Sequence, residues 1–454
     1  MKEAMSSLDK NISTGFLLKF ALPTIIANVA MGVFGVVDGV FASRLIDPYA
    51  LSAVKLIMPF MMFVLAVGLM FGIGGSVLIA KEIGQGFTEQ ARKNFSFVSF
   101  VGILSAIILA VLAGLFPNVL FNILGVDAYM HELTWEYAGV ALPFVPVITA
   151  GMIFQQFFIT EGKAHYGMIA IGIGGAVSFV LNVILIPTMG LQGAALATVI
   201  GYSIPAIFGF LFFSFNRKGL LYFVMPDFKL SILLRVMSNG VPELIASMAI
   251  AISSIVMNNI VMDLDGPMAV AAAGIQMAAM NIMSGVFIGY STGISPLISY
   301  NYGKNEHGRL KQIFRSSLWI TIGLAIITVV LTLLFTDQFI RIYDLHPLVY
   351  IGGFIITLPI YEMSYNSVRM LAFAYLFMGV NIFASVFFTS FNDGKTSGVI
   401  SFLRGIFFII ISLHVMANIW GIDGVWMATS VAEILTLFVS VYFLVKLRKV
   451  YHYA

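Results

Sequence analysis

The sequence predicts an all-α integral membrane protein with twelve transmembrane helices in two pseudo-symmetric six-helix lobes. Three observations predict it. The 454 residues are 60% hydrophobic and only 10% charged, with a mean hydropathy of +1.00, whereas an ordinary soluble domain carries about 25% charged residues. Apolar runs of about 20 residues, enough to cross a hydrocarbon core roughly 30 Å thick, recur along the whole chain. Landmarks of the first half also return in the second at a near-constant offset.

In chain order, the first span (16–43) is apolar except for Asp38 and contains Pro23, and the second (52–80) ends in FGIGGSVLIAKEIGQG (71–86). The third (95–117) and fourth (133–159) lead to the turn EGK (161–163). The fifth (167–189) contains LNVILIP (181–187) and passes through MGLQGAALAT (189–198) into the sixth (192–214). The longest polar connection, 215–235, carries Arg217, Lys218, Asp227, Lys229 and Arg235. It divides the chain into a lobe of residues 1–214 and a lobe of residues 236–454. The seventh span (236–262) begins near Pro242 and Glu243, the eighth (268–299) leads into IGYSTGISPLISYNYGK (288–304), and the ninth covers 314–335. The tenth (367–391) ends at DGK (393–395). The eleventh (396–418) and twelfth (421–446) are joined through WGIDGVWMAT (420–429).

Setting Gly84 on Gly303 gives an offset of 219, which also aligns Pro23 with Pro242, Gly74 with Gly293 and Phe116 with Phe335. MGLQGAALAT meets WGIDGVWMAT at an offset of 231, and EGK meets DGK at 232. The offset therefore grows by 12 or 13 residues between spans nine and ten, where LVYIGGFIITLPIY (348–361) has no counterpart. At 14 residues that segment is short for a span, and it reads as an interfacial or re-entrant piece. Parallel repeats of this kind suit a carrier, with substrate held between bundles that rock against each other.

Lysine and arginine are biased towards cytoplasmic loops. With the N-terminus inside, the loop and tail lysines and arginines fall on the cytoplasmic side except Arg44, Lys55, Arg341 and Arg369, so the expected location is the cell membrane, multi-pass, with both termini cytoplasmic. The polar N-terminus has no small-residue cleavage site and reads as a tail, not a signal peptide. A net charge of +3, spread among loops, gives no nucleic-acid footprint. The chain has no cysteine, which excludes disulfides and thiolate metal sites. It has no HExxH, GxSxG or GxxxxGK[ST] motif, so an enzyme is not expected. No cofactor is called for, and the energy source is expected to be a proton or sodium gradient.

Intramembrane ionisable residues are functional candidates by default, since a charge near the bilayer centre costs roughly 2.5–3.5 kcal/mol on insertion scales. Asp38 stands in VFGVVDGVF (33–41), fifteen residues beyond Pro23, which favours a kink. A desolvated carboxylate has a raised affinity for protons, so Asp38 is either a cation- or proton-coupling acid or an interfacial aspartate near a helix end. Glu243, directly after Pro242, is either a helix N-terminal charge or a second-lobe site residue. Arg404 and Glu433 form a structural ion pair or line a second-lobe cavity. Asn182, Thr198, Gln276, Asn281 and His414 are further intramembrane polar residues, and Asn and Gln often only bridge helices.

With two halves of six spans, LP at 22–23, Asp38, GIGG at 72–75, the QGAALAT and DGVWMAT repeats and the EGK and DGK turns, the chain resembles the multidrug and toxic compound extrusion (MATE) transporters over essentially its whole length. The resemblance implies export of small organic cations in exchange for protons or sodium by a monomer in the lipid bilayer. It gives Asp38 the place of the first-helix coupling acid and Pro23 that of the bending proline. It makes Asn182, Thr198 and Tyr137 the polar partners of Asp38, while Glu243, Arg404 and Glu433 resemble polar residues of a prokaryotic branch. Where the family often reads LNxxLDP, this chain has Ile186 in place of the acid. One carboxylate fewer weakens a sodium site and favours protons. The competing functions are a lipid-linked oligosaccharide flippase of the same superfamily, which calls for several cavity arginines, and a membrane assembly protein without transport.

Overall fold

The computed structural model describes residues 12–45, 48–126, 130–343, 349–351, 354–356 and 359–454, excepting the side chains of 37–45, 48–53, 55, 349–351 and 354–356. In a bilayer every backbone N–H and C=O must be satisfied internally, which forces long apolar sequences into helices. Nine helices among the described residues are long and apolar enough to cross a membrane. The first half contains α1 (Thr14–Leu45), α2 (Pro48–Gly84), α3 (Thr88–Leu115), the short α4 (Pro117–Leu124) and α5 (His131–Ala141). A 3-10 turn at Leu142–Phe144 joins α5 to α6 (Val145–Thr160), and α7 (Ala164–Phe215) follows. The second half contains α8 (Leu230–Gly303), α9 (His307–Arg341), α10 (Pro359–Ser390), α11 (Gly394–Phe402), α12 (Ile409–Lys446) and α13 (Arg448–Tyr451).

Three of the long helices are broken by a glycine in a conformation that other residues rarely adopt. The break in α7 is at Gly190 (φ 57°, ψ −129°), that in α8 at Gly266 (φ 70°, ψ −158°) and that in α12 at Gly421 (φ 59°, ψ −134°). Separating the arms on either side of each break gives twelve among the described residues.

The internal repeat is visible in the backbone. The turn after α2 and the turn after α8 carry the same hydrogen bonds at an offset of 219: Gly86 N–H to the Ile83 carbonyl and Asn305 N–H to the Tyr302 carbonyl. After α6, Lys163 N–H donates to the Phe158 carbonyl. After α10, Asp393 N–H donates to the Phe388 carbonyl, an offset of 230. Lys163 therefore stands opposite Asp393, and the EGK and DGK motifs are out of register by two residues, because hydrogen bonding and not letter identity sets the turn. The offset then rises to 231 at Gly190 and Gly421. The extra residue lies in a π-helical segment, Leu403–Phe408, between α11 and α12. A single π turn is how a helix accommodates a one-residue insertion, and such turns occur frequently at functional sites.

The halves meet along α8, whose arms pack against α1 and α2. Glycines let the backbones approach, as small residues do in membrane helix packing. Gly84 lies against the Tyr300 carbonyl, and its repeat partner Gly303 lies against the carbonyl of Lys81, the repeat partner of Tyr300.

Three sequence expectations change. The link is non-helical over 216–229, shorter than 215–235, because α8 starts at Leu230. Glu243 consequently sits well inside α8 and charges no helix terminus; Lys229 occupies the N-cap. Within 348–361, β1 (Val349–Ile351) and β2 (Phe354–Ile356) pair antiparallel, while Pro359 opens α10. Residues 348, 352, 353, 357 and 358 lie outside the described residues.

Candidate ligand-binding site

A cavity of about 330 Å³ lies among α8, α10, the π segment and α12, bordered by Asn28 of α1 and Leu69 of α2. Methionines 257, 277, 280 and 378 supply adaptable apolar walls. Its charged lining residues are Glu243, Arg404 and Glu433.

Arg404 and Glu433 are paired, with Nε donating to Oε1 at 2.8 Å. The other carboxylate oxygen of Glu433 accepts from Asn381 Nδ2 at 2.7 Å, and Asn381 Oδ1 accepts from Ser440 Oγ at 2.8 Å. Glu433 is thus saturated and nearly enclosed, its side chain 4% exposed, whereas that of Arg404 is 23% exposed. The inserted residue of the π segment falls in the stretch that holds Arg404. Glu243 lies on the cavity wall, within electrostatic reach of Arg404, and has no hydrogen-bond partner among the described residues.

Gln276 also lines the cavity, but its amide is engaged, donating to the carbonyls of Ser367 (3.1 Å) and Trp426 (3.2 Å). It ties α8 to α10 and α12. His414 is exposed, and its ring Nδ1 lies 2.9 Å from the Ile410 carbonyl of its own helix. Among the described residues no group of His, Asp and Glu is arranged to hold a metal.

In the first half, Pro23 lies within α1. Asp38 belongs to α1 by its backbone, but its side chain lies outside the described residues. Asn182 and Thr198 sit on the two arms of α7, either side of Gly190; Asn182 is buried and Thr198 Oγ1 donates to the Ala194 carbonyl at 3.0 Å. Tyr137 is buried in a cluster with Ile186, Leu191, Ala194 and Val199. The structure thus gathers Glu243, Gln276, Arg404 and Glu433 around one cavity, and packs Tyr137 against Ile186, Leu191, Ala194 and Val199 of α7, the helix that also carries Asn182 and Thr198.

Sequence reading missed Asn381 and Glu161. Asn381, fully buried in α10, carries no local motif and is recognisable only through the acid it holds. Glu161 is fully buried at the end of α6, where its carboxylate accepts the N–H groups of Leu220 (3.0 Å) and Leu221 (2.8 Å). Arg92 Nε donates to the Leu220 carbonyl at 2.9 Å, so the link is strapped across the first half. Burial raises the Glu161 carboxyl above its ordinary 4.5, against the opposing pull of those two N–H donors and of Lys163. On the other half, Tyr451 and Tyr453 of the C-terminal residues stack on Phe391. By sequence this acid was only part of a turn motif, because its partners lie 59 and 60 residues away.

The model of the MatE family matches residues 23–188 and 242–413. Multidrug export protein MepA of Staphylococcus aureus (strain MRSA252) is 25% identical over 424 residues, covering 92% of this chain and 90% of that protein. MepA of Staphylococcus haemolyticus is 22% identical over 439 residues, covering 95% and 93%. Among solved structures, a MATE in complex with MaL6 superposes with a TM-score of 0.91 at 19% identity, covering both chains completely. A mutant of the Vibrio cholerae MATE transporter VcmN gives 0.85 at 17% identity, again over both full chains. These likenesses and the apolar helices make the chain a multi-pass membrane protein with the fold of those transporters.

Proposed function

Because the chain belongs to the MatE family, we propose that it is a secondary active antiporter exporting organic cations in exchange for protons, through two lobes that alternate access. The carrying observation is one of register. Asp38 falls opposite Met257 at the offset of 219, while Asn182 and Thr198 fall opposite Leu413 and Thr429 at 231. Met257, Leu413 and Thr429 all line the cavity of the second half. The three first-half residues thus occupy the repeat positions that face a cavity, and there they supply an acid, an amide and a hydroxyl.

Ile186 supports protons over sodium, since the position one turn from Asn182 is a buried apolar residue and leaves a single acid. The glycine seam at Gly84 and Gly303 closes the end bearing Lys81, Lys304 and Arg309, which the charge bias makes cytoplasmic. MepA relatives, named as multidrug export proteins, carry the same expectation for substrate. The test is efflux of a cationic dye from proteoliposomes under separately imposed proton and sodium gradients. Wild type should follow the proton gradient at constant sodium, and Asp38→Asn should abolish coupled efflux while keeping expression and folding. Full efflux by Asp38→Asn refutes the first-lobe mechanism.

A further inference from the structure

A second recess, of about 510 Å³, runs between α8 and α11, lined by Ser238 and Val241 on α8 and by Lys395, Gly398, Val399 and Phe402 on α11. Lys395, Val399 and Phe402 are exposed, so it is a trough on the lipid-facing side of the second half. Two glycines one turn apart open it. Gly394 lies against the Ser238 carbonyl, which brings α11 onto α8, and Gly398 adds no side chain to the space beside Pro242. At the offset of 230 Gly398 stands opposite Met168, so the residue that leaves the trough open is particular to the second half.

The trough is polar at one end and apolar beyond it. Lys395, at the start of α11, and Ser238 mark the polar end. Val399 and Phe402, four and seven residues on, lie on the same helix face and extend it by about 10 Å at 1.5 Å per residue. Lys395 forms no ion pair among the described residues. The neighbouring carboxylate, Asp393, is occupied elsewhere, accepting from the Thr396 N–H (3.1 Å), the Thr396 hydroxyl (2.6 Å) and the Tyr451 hydroxyl (2.9 Å). The ammonium is therefore available to a ligand.

We propose that this trough seats one anionic phospholipid, with its phosphate at Lys395 and Ser238 and an acyl chain along Val241, Val399 and Phe402. The bilayer itself supplies the occupant, because a trough walled by lipid-exposed side chains is filled by lipid. The lysine at its polar end decides which lipid: one basic residue near the headgroups favours an anionic over a zwitterionic lipid by about fivefold, the factor that corresponds to roughly 1 kcal/mol. The π segment borders both recesses, since Leu403 lines the trough and Arg404 lines the cavity. The lipid thus packs against the segment that carries a cavity residue.

The test is fluorescence quenching in the full chain. Phe402→Trp places a reporter in the trough, and the protein is reconstituted in vesicles of phosphatidylcholine and phosphatidylglycerol with one of the two dibrominated on its acyl chains. The reporter's emission, taken as the difference from the parent with its four native tryptophans, should be half-quenched at an about fivefold lower mole fraction of brominated phosphatidylglycerol than of brominated phosphatidylcholine. In the same background Lys395→Arg should keep that preference and Lys395→Gln should lose it. Gly398→Leu keeps the lysine but fills the trough, since a Cβ at residue 398 meets only the Pro242 ring, at 3.9 Å, and it should lose the preference too. Equal quenching by the two lipids in Phe402→Trp overturns the proposal. A preference that survives Lys395→Gln removes the lysine from it, and one that survives Gly398→Leu reduces it to surface charge without a seated chain; either result overturns it.

Discussion

Gly190 and Gly421, 231 residues apart, hold the same unusual backbone conformation, φ 57°, ψ −129° and φ 59°, ψ −134°. Each breaks a long helix into two arms. In each half the following glycine, Gly193 or Gly424, lies against a carbonyl of the preceding arm, that of Leu185 or Met416. The repeat is thus one of backbone geometry as well as of sequence, and it lets a position described in one half inform its partner in the other.

That geometry predicts the effect of filling the break. A Cβ at residue 421 meets no neighbour, so the cost of Gly421→Ala is conformational strain alone. Holding a non-glycine residue at such φ and ψ costs of order 1–3 kcal/mol. The variant should melt below wild type, and Gly190→Ala by a similar amount. An unchanged melting temperature for both refutes the strain argument.

The seam makes a second prediction. Any side chain at residue 84 collides with the backbone at Tyr300, so Gly84→Val should part α2 from α8 at the end that bears Lys81 and Lys304. The chain has no native cysteine, which allows a clean readout. Ala80 is one turn from Gly84, on the same helix face, and is fully buried. A thiol introduced by Ala80→Cys should resist a membrane-impermeant maleimide in the parent and react in the Gly84→Val background. Equal protection in both places the gate elsewhere.

Much of the fold was legible because membrane helices announce themselves by length and apolarity, and the glycine-rich repeats survive in both halves. What stayed hidden was set by distant contacts. The start of α8 at Leu230 was misplaced because Leu230, Ile232 and Leu233 look like part of a polar link beside Asp227 and Lys229; helix formation there extends an apolar arm that packs in the core. The hairpin within 348–361 was missed because a nearly continuous apolar run gives no period from which to distinguish a strand from an interfacial turn. The pairing of Arg404 with Glu433 was readable, because two opposite charges in adjacent spans have few other partners. The insertion beside Arg404 was not, since a one-residue offset shows only once both turns are located in space.

Glu161 carries a pH dependence whose sign follows from its surroundings. Its folded carboxyl is raised above 4.5 by burial, so the folded chain holds the proton more tightly than the unfolded chain does. Stability from this group is therefore greatest below the ordinary carboxylate range and declines as pH rises towards the folded value. Glu161→Gln should remove that slope. It should also weaken the strap, because an amide presents one acceptor oxygen to two N–H groups. Melting curves of both proteins across pH 4 to 8 check this, and a slope that persists in Glu161→Gln assigns it to another group.

Ile186 offers the sharpest separation of proton from sodium coupling. It is 5% exposed, packed with Tyr137, Leu191 and Val199, and lies one turn from Asn182 on α7. In the proposed mechanism Asp38 is the sole acid of this region and a proton suffices to neutralise it. Ile186→Asp places a carboxylate among apolar side chains, where its charged form is penalised. The variant should be destabilised in the absence of a cation, and any ion that binds the folded state alone should restore stability in proportion to the logarithm of its concentration. Sodium should therefore raise the melting temperature of Ile186→Asp and leave that of wild type unchanged at constant ionic strength. Stabilisation of wild type by sodium, with no added effect in Ile186→Asp, would move cation coupling away from this site and towards Glu243 in the second half.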